Sequence, residues 1–212
     1  MGNSTASRAR LADGAATLGV EIDDEQQRTM LAYLALLKRW NKIYNLTAVK
    51  GDANILTRHL LDSLSVAPHL HGRKVIDIGT GAGLPGIPVA IACPHLQLTL
   101  LDSNAKRCRF LRQVQAQLKL KNVTVVQQRV EEYQPAEKFD SLLSRAFSSL
   151  QALISSSAHL LAEGGQVIAM KGIWPGDEKE ALPDGFMVEN VVKLKVPGLS
   201  EQRRLVICKK VK

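Results

Sequence analysis

Residues 75–86 read Val-Ile-Asp-Ile-Gly-Thr-Gly-Ala-Gly-Leu-Pro-Gly. A short apolar run holding one acid, Asp77, passes straight into a glycine turn, the pattern of a buried parallel strand feeding a ligand loop. Gly79, Gly81 and Gly83 let backbone approach a ligand that a Cβ would block. Gly81-x-Gly83-x-x-Gly86 also matches the dinucleotide fingerprint, so the glycines alone do not name a cofactor. About 20 residues on, Leu98-Thr99-Leu100-Leu101 ends in Asp102, an acid placed to accept ribose hydroxyls. Loop, spacing and acid together point to a nucleoside-type cofactor. An ordinary tight turn between strand and helix leaves both acids unexplained.

The chain has 212 residues, enough for one domain with an extension. Its apolar content is 45% but its aromatic content only 4%, so aliphatic side chains must fill the core. Cys93, Cys108 and Cys208 have no metal-ligand or disulfide spacing, which suits a reducing, cytoplasmic setting. No apolar run reaches the roughly 18 residues of a membrane span, and the N-terminus does not read as a signal peptide. No metal and no membrane are expected. The net charge is +8, and between Ser103 and Val130 stand seven Lys or Arg and no acid. A basic surface beside a cofactor loop suits a polyanionic substrate. The alternative is a solvated basic face with no partner.

The first ten residues are polar and small and read as frayed. From Asp24 to Tyr44 the apolar positions keep a helical period, capped by Asp23 or Asp24. A second helix is expected from about Ala53 to Leu70. Residues 1–72 thus read as a helical cap. Residues 73–212 then alternate, with strands near 74–78, 97–101, 123–127, 139–144 and 166–170. Helices fall near 85–92, 104–119 and 148–162. This pattern builds an α/β, Rossmann-like parallel sheet. Met187–Val196 and Arg204–Lys209 close it as an antiparallel hairpin.

A nicotinamide dinucleotide and S-adenosylmethionine compete for the loop. Asp77, just before it, can help orient a cationic amino-acid group, which a dinucleotide lacks. Glu163-Gly164-Gly165 before a strand and the closing hairpin resemble features of methyltransferases, and the second cofactor is favoured.

The chain resembles the bacterial glucose-inhibited division protein B family, the small-subunit ribosomal RNA guanine-N7 methyltransferases, from about Leu31 to Val206. The resemblance rests on an ordered set of motifs. First come Trp40-Asn41, Tyr44-Asn45-Leu46-Thr47 and Arg58-His59-Leu60-Leu61-Asp62-Ser63. The glycine loop follows, then Leu101-Asp102-Ser103 with Lys106-Arg107. Arg129-Val130-Glu131, Ser144-Arg145-Ala146 and Lys171-Gly172 complete it. The resemblance implies S-adenosylmethionine as methyl donor and 16S ribosomal RNA as partner, in the small subunit or an assembly intermediate. It implies no oligomeric state, and a monomer is the default.

Cofactor contacts are expected at Gly79, Gly81, Leu84, Asp102 and Ser103, with Val130, Glu131 and Arg145 beyond them. Alone, Glu131 reads as a surface acid and Arg145 as a structural arginine pairing Asp140 or Glu131. RNA contacts are expected at Lys106, Arg109 and Arg112, which recur every three residues on one helical arc, and at Arg107, which sits off that arc in the first turn, close to the cofactor edge. Lys171, Arg203 and Arg204 are further candidates. His59, among leucines, reads as a structural hydrogen-bonder. Guanine N7 has a lone pair and no proton to lose, so positioning is the expected source of catalysis and no catalytic residue is assigned. Asp62 and Glu131 are alternatives for a carboxylate near the base. Two other readings remain: a non-catalytic RNA-binding protein that needs the cofactor, and a small nicotinamide-dependent oxidoreductase.

Overall fold

Five strands run parallel: β1 (Lys74–Ile78), β2 (Gln97–Asp102), β3 (Val123–Gln127), β4 (Phe139–Ser144) and β5 (Leu161–Lys171). The chain then folds back through β6 (Phe186–Leu194) and β7 (Arg203–Lys210), whose pairings are antiparallel. The order across the sheet is β3-β2-β1-β4-β5-β7-β6. It reverses between β1 and β4, and ligands of open α/β sheets bind at that reversal, beyond the carboxyl ends of the strands. This computed structural model describes residues 2–49, 51–145, 147, 149–172 and 182–211.

The central strands are buried on both faces, and alternate residues serve different cores. Val75, Leu98 and Leu143 pack with α5 (Gly86–Ala92), α6 (Ala105–Gln117) and the N-terminal helices. Ile76, Leu101 and Leu142 pack on the other face with α7 (Leu150–Ser157). The cap and the sheet share the first of these cores: Leu11, Met30 and Leu60 join the same cluster as Leu98 and Leu111.

The cap departs from expectation at its start. Residues 2–10 are not frayed but belong to a helix, α1 (Gly2–Thr17). Leu11 and Ala15 are fully buried, Arg8 pairs with Asp24 at 2.8 Å, and Arg10 donates to Thr57 Oγ1 at 2.7 Å. Tertiary anchoring outweighs the weak local propensity of a polar, small-residue segment. The next helix, α2 (Asp24–Tyr44), has the expected bounds. Asp23 is its cap, accepting from the Gln26 amide at 2.7 Å while the Gln26 side chain accepts from Asp23 N. This reciprocal pair satisfies two of the unpaired first-turn donors.

The expected helix over 53–70 is broken. It begins as α3 (Asp52–Ile55), widens into a π-helical turn at Leu56–Leu61, and resumes as α4 (Asp62–Leu64). A 3₁₀ turn at Ala67–His69, containing Pro68, ends it. At the other end, the helix expected over 148–162 stops at Ser157, and Ser148 lies outside the described residues. Glu163-Gly164-Gly165 is not a turn before the fifth strand but a kinked segment within β5, where the register with β4 shifts. A Cβ on Gly165 would sit 3.0 Å from the Asp140 carbonyl, so strand packing keeps that position bare.

Candidate active site

The loop after β1 is held by its own acid. Asp77 is fully buried, and its Oδ2 accepts from Thr80 Oγ1 at 2.6 Å and from Gly86 N at 2.8 Å. Its Oδ1 is buried with no hydrogen-bond partner. Burial lifts the carboxyl to about 6, against the Thr80 and Gly86 hydrogen bonds and the Arg145 charge. A buried carboxylate with one oxygen unused is suited to a cationic partner. The cap reaches the same loop: Tyr33, on α2, donates its hydroxyl to the Ala82 carbonyl at 2.7 Å.

The glycines divide the work. Gly79 lies at φ +66°, and a Cβ there would meet nothing within 4 Å, so the cleft side is open at that point. Gly83, at φ +90°, is closed by packing: a Cβ would fall 2.5 Å from Ile87 Cγ1 and 2.8 Å from Leu111 Cδ2.

Asp102 ends β2 beside the loop and is 4% exposed. Its Oδ1 accepts from Asn104 N at 2.8 Å, and its Oδ2 from Gly81 N at 3.0 Å. Arg107 Nη1 lies 3.3 Å from the same Oδ2. The acid therefore joins the glycine loop to the start of α6; Oδ2 is doubly engaged, and Oδ1 retains a second lone-pair direction. Asn104 caps α6 by accepting from the amides of Lys106 and Arg107, which fixes Arg107 in the first turn over Asp102.

These groups border a cleft of about 200 Å³ over the tips of β1 and β2. Gly79, Asp102, Ser103, Val130 and Glu131 line it, together with Arg107. Val130 and Glu131 stand on a 3₁₀ turn, Val130–Glu132, just past β3. Gly81 and Leu84 stand behind the lining, Gly81 through its bond to Asp102 and Leu84 buried in the core. Arg107 lies close to the cofactor edge, as its first-turn position implies, and lines this cleft. Phe147, just past β4, lines the cleft and was not singled out; its position after a strand tip was the available signal.

Arg145 lies elsewhere. It borders a second cleft of about 290 Å³, beyond the tips of β4 and β5 and under the cap. Its Nη1 is 3.7 Å from Asp62 Oδ2, so it pairs with neither Asp140 nor Glu131. Asp140 instead accepts from the amides of Arg73 and Lys74. Arg203 Nε donates to Asp62 Oδ1 at 3.0 Å, while Lys171 and Arg58 complete the cationic lining. Ala146 lies outside the described residues. His59, 2% exposed, places Nε2 3.0 Å from Thr47 Oγ1. Burial, with the Arg145 and Arg58 charges adding to it, lowers its pKa to about 4, so it is neutral at pH 7. Lys106, Arg109 and Arg112 are exposed on α6, while Cys108, Leu111 and Val114 face the core. Arg204 donates to Gln202 Oε1 on the hairpin.

Strand order, antiparallel hairpin and the acid-tipped glycine cleft define a class I methyltransferase, a class that uses S-adenosylmethionine. The unpartnered Asp77 oxygen, the open space at Gly79 and the acceptor Asp102 fit that donor's charged amino group, close approach and ribose. Solved structures agree on the fold. TrmN from Thermus thermophilus matches with a TM-score of 0.53 at 19% identity, over 74% of this chain and 53% of that one. The glycopeptide N-methyltransferase MtfA matches with a TM-score of 0.58 at 14% identity, over 74% of this chain and 98% of that one. The GidB family model, described as rRNA small subunit methyltransferase G, matches residues 26–207, and the chain belongs to that family. Proteins named ribosomal RNA small subunit methyltransferase G from Salmonella typhimurium and Salmonella typhi are each 53% identical to it over 194 residues. Those alignments span 92% of this chain and 94% of each relative.

Proposed function

We propose that this protein transfers the methyl group of S-adenosylmethionine to N7 of a guanine in 16S ribosomal RNA, acting on the small subunit or an assembly intermediate. The observation that carries the reading is the adjacency of two unlike clefts. One holds Asp102, Glu131 and glycine backbone beside Arg107 and Arg129, the other four cations around Asp62, and they flank the point where the strand order reverses. When bound, the donor supplies an electrophilic methyl on a sulfonium. The protein's part is to hold the reactants: Asp77 Oδ1 toward the amino group, Asp102 and Ser103 toward the ribose, Val130 and Glu131 toward the adenine side. Backbone at Gly79 and Gly81 leaves room for close approach, and Leu84 supports the loop from the core.

N7 attacks with its own lone pair, so no side chain has to take a proton. N7 lies on the major-groove edge, which side chains cannot read in A-form RNA, so the target is an unpaired guanine. Lys106, Arg109 and Arg112 form an exposed arc for phosphate contact, with Arg204 on the hairpin. We read residues 1–72 as a cap over a methyltransferase domain of residues 73–212. The protein is taken to work in the cytoplasm as a monomer. No described helix is long and apolar enough to cross a membrane, and the described residues hold no His/Cys/Asp/Glu group fit for a metal.

The test is methyl transfer from labelled donor to 16S RNA and to small subunits from cells lacking the gene. The modified base is then mapped by N7-specific strand cleavage. Label at a guanine N7 is the expected result. Label on an exocyclic amine or a ribose, or no transfer to either substrate, would overturn the reading.

A further inference from the structure

The second cleft combines features that the cofactor does not need. Four cations line it: Arg58 from the π turn, Arg145 past β4, Lys171 at the end of β5 and Arg203 at the start of β7. Two carboxylates face them. Glu201 meets Arg58 at the rim, and Asp62 lies inside, 3% exposed. His59 adds no charge, because it is neutral at pH 7. The cleft therefore keeps an excess of positive charge in a partly enclosed space, where an anion is less screened than on open surface.

Asp62 is not placed to serve as the counter-charge of a methylated base. Its two oxygens are already directed at Arg203, 3.0 Å away, and Arg145, 3.7 Å away. It acts on those arginines instead. A buried carboxylate between two guanidiniums fixes their planes, and a planar fork held in place is a preorganised oxyanion receptor. Arg145 follows β4, the strand next to β1, and lines this cleft with its Nη1 toward Asp62. In the sheet the first cleft covers the β1 and β2 tips, and this one the β4, β5 and β7 side. At about 4.8 Å per strand, the two lie roughly 10–15 Å apart. A nucleotide that presents its base at the β1–β4 boundary has its backbone within reach of the second cleft.

We propose that this cleft grips a backbone phosphate of the RNA at the acceptor guanosine, with Arg58, Arg145, Lys171 and Arg203 as donors and Asp62 as the positioning residue. The proposal rests on the reading of the chain as an rRNA methyltransferase. It assigns the cap a role beyond packing, since Arg58 and Asp62 come from it.

The experiment uses the full chain, with Lys171→Gln and Asp62→Asn variants checked for an unchanged melting profile. Three quantities are measured: RNA affinity against KCl concentration, S-adenosylmethionine affinity by calorimetry, and the single-turnover rate at saturating RNA. Lys171→Gln is expected to weaken RNA binding about tenfold and to make the log–log salt slope shallower by about 0.7–0.9. Asp62→Asn is expected to weaken RNA binding with the slope unchanged, because the cations remain but lose their orientation. Donor affinity should stay within about threefold in both, while the saturated rate should fall with RNA binding, because the gripped phosphate also aligns the base. RNA affinity and slope at wild-type values in Lys171→Gln would overturn the proposal, as would an equal loss of donor affinity. Inorganic phosphate is titrated in parallel. A variant that loses phosphate binding while keeping RNA affinity would assign the cleft to free phosphate and overturn the RNA reading. Should Asp62→Asn fail to fold, Lys171→Gln alone decides. Because RNA binding is read apart from the position of the methyl group, a wrong target atom leaves this test intact.

Discussion

The two clefts are built by opposite strategies. The donor cleft is held by short-range bonds at two points: Asp77 accepts from Thr80 and Gly86 within nine positions, and Asp102 from Asn104 and Arg107 within five, with Gly81 reaching Asp102 across 21. Its lining combines glycine backbone, Asp102 at the end of a buried strand, and Glu131 with Arg107 and Arg129 around it. The second cleft is made of distant residues. Arg203 reaches Asp62 across 141 positions, and Arg58 reaches Glu201 across 143. Its recognition groups are long cationic side chains with partial exposure. A rigid, locally encoded site suits a donor of constant shape. A site assembled from cap, sheet and hairpin suits a large polyanion that must be matched in three dimensions.

The difference is sharpest in packing tolerance, and Gly83→Ala probes it. The new Cβ would overlap Ile87 and Leu111 and would impose a left-handed backbone on a residue that resists it. Left-handed strain of about 1–2 kcal/mol adds to overpacking of about 1–3 kcal/mol. A stability loss of about 3 kcal/mol is expected in denaturant titration, together with weakened donor binding. Gly172→Ala at the second cleft meets only Arg203 Nη1 and Gln202 O, both at 3.9 Å, and should leave the midpoint unchanged. Equal midpoints for the two variants would break the contrast.

A smaller effect comes from Asp77. Its carboxyl titrates near 6 in the folded protein, raised by burial. Above that pH it is an anion with a free oxygen for the donor's amino group; below it the charge is lost. Donor affinity is therefore expected to fall about tenfold per pH unit below 6, and the Asp77→Asn variant to lose this slope. Folding responds in the opposite sense. A carboxyl whose folded pKa lies above its unfolded value favours the native state when protonated. Its contribution is thus fully present below about 3.8 and lost as pH rises through about 6. Melting with and without donor at pH 5 and 7.5 measures both. A donor affinity flat over this range would remove Asp77 from the amino-group contact.

The same contrast governs what the sequence disclosed. The α2 bounds, the β1, β3 and β4 spans and the acid–glycine–acid motif were all legible, because periodicity, capping and turn chemistry act within a few residues. The α1 helix was not, since its order depends on Leu11 and Ala15 finding the core and on Arg10 finding Thr57. Arg145 was read as a cofactor contact because it follows a strand tip. Its side chain is drawn toward the second cleft by Asp62, 83 positions earlier in the chain. The first-turn position of Arg107 near the cofactor edge was legible, but its ion pair with Asp102 depends on the cap at Asn104.

The smallest expected effect separates positioning from proton transfer, and it concerns His59. This residue is the only histidine on either cleft among the described residues, and it would be the natural base if the acceptor had a proton to lose. Its surroundings argue against that role. Burial and two nearby guanidiniums hold its pKa near 4, so at pH 7 it is neutral, and its conjugate acid would be too unstable to form late in a reaction. Its Nε2 is engaged with Thr47 Oγ1, which ties the segment after α2 to the π turn. His59→Gln keeps a polar group for Thr47. The saturated single-turnover rate is expected to change by less than about threefold, under about 0.7 kcal/mol in barrier. Its pH profile should show no acidic limb between 6 and 8. Stability should respond instead: a histidine with a depressed folded pKa costs the native state stability as pH falls from about 6.5 toward 4, and the variant should lose that part of the acid sensitivity. A rate that collapses in His59→Gln, with a wild-type limb near neutral pH, would make the second cleft a site of proton abstraction rather than of phosphate grip. The acceptor would then be an amine or a hydroxyl and not a ring nitrogen with a lone pair ready to react.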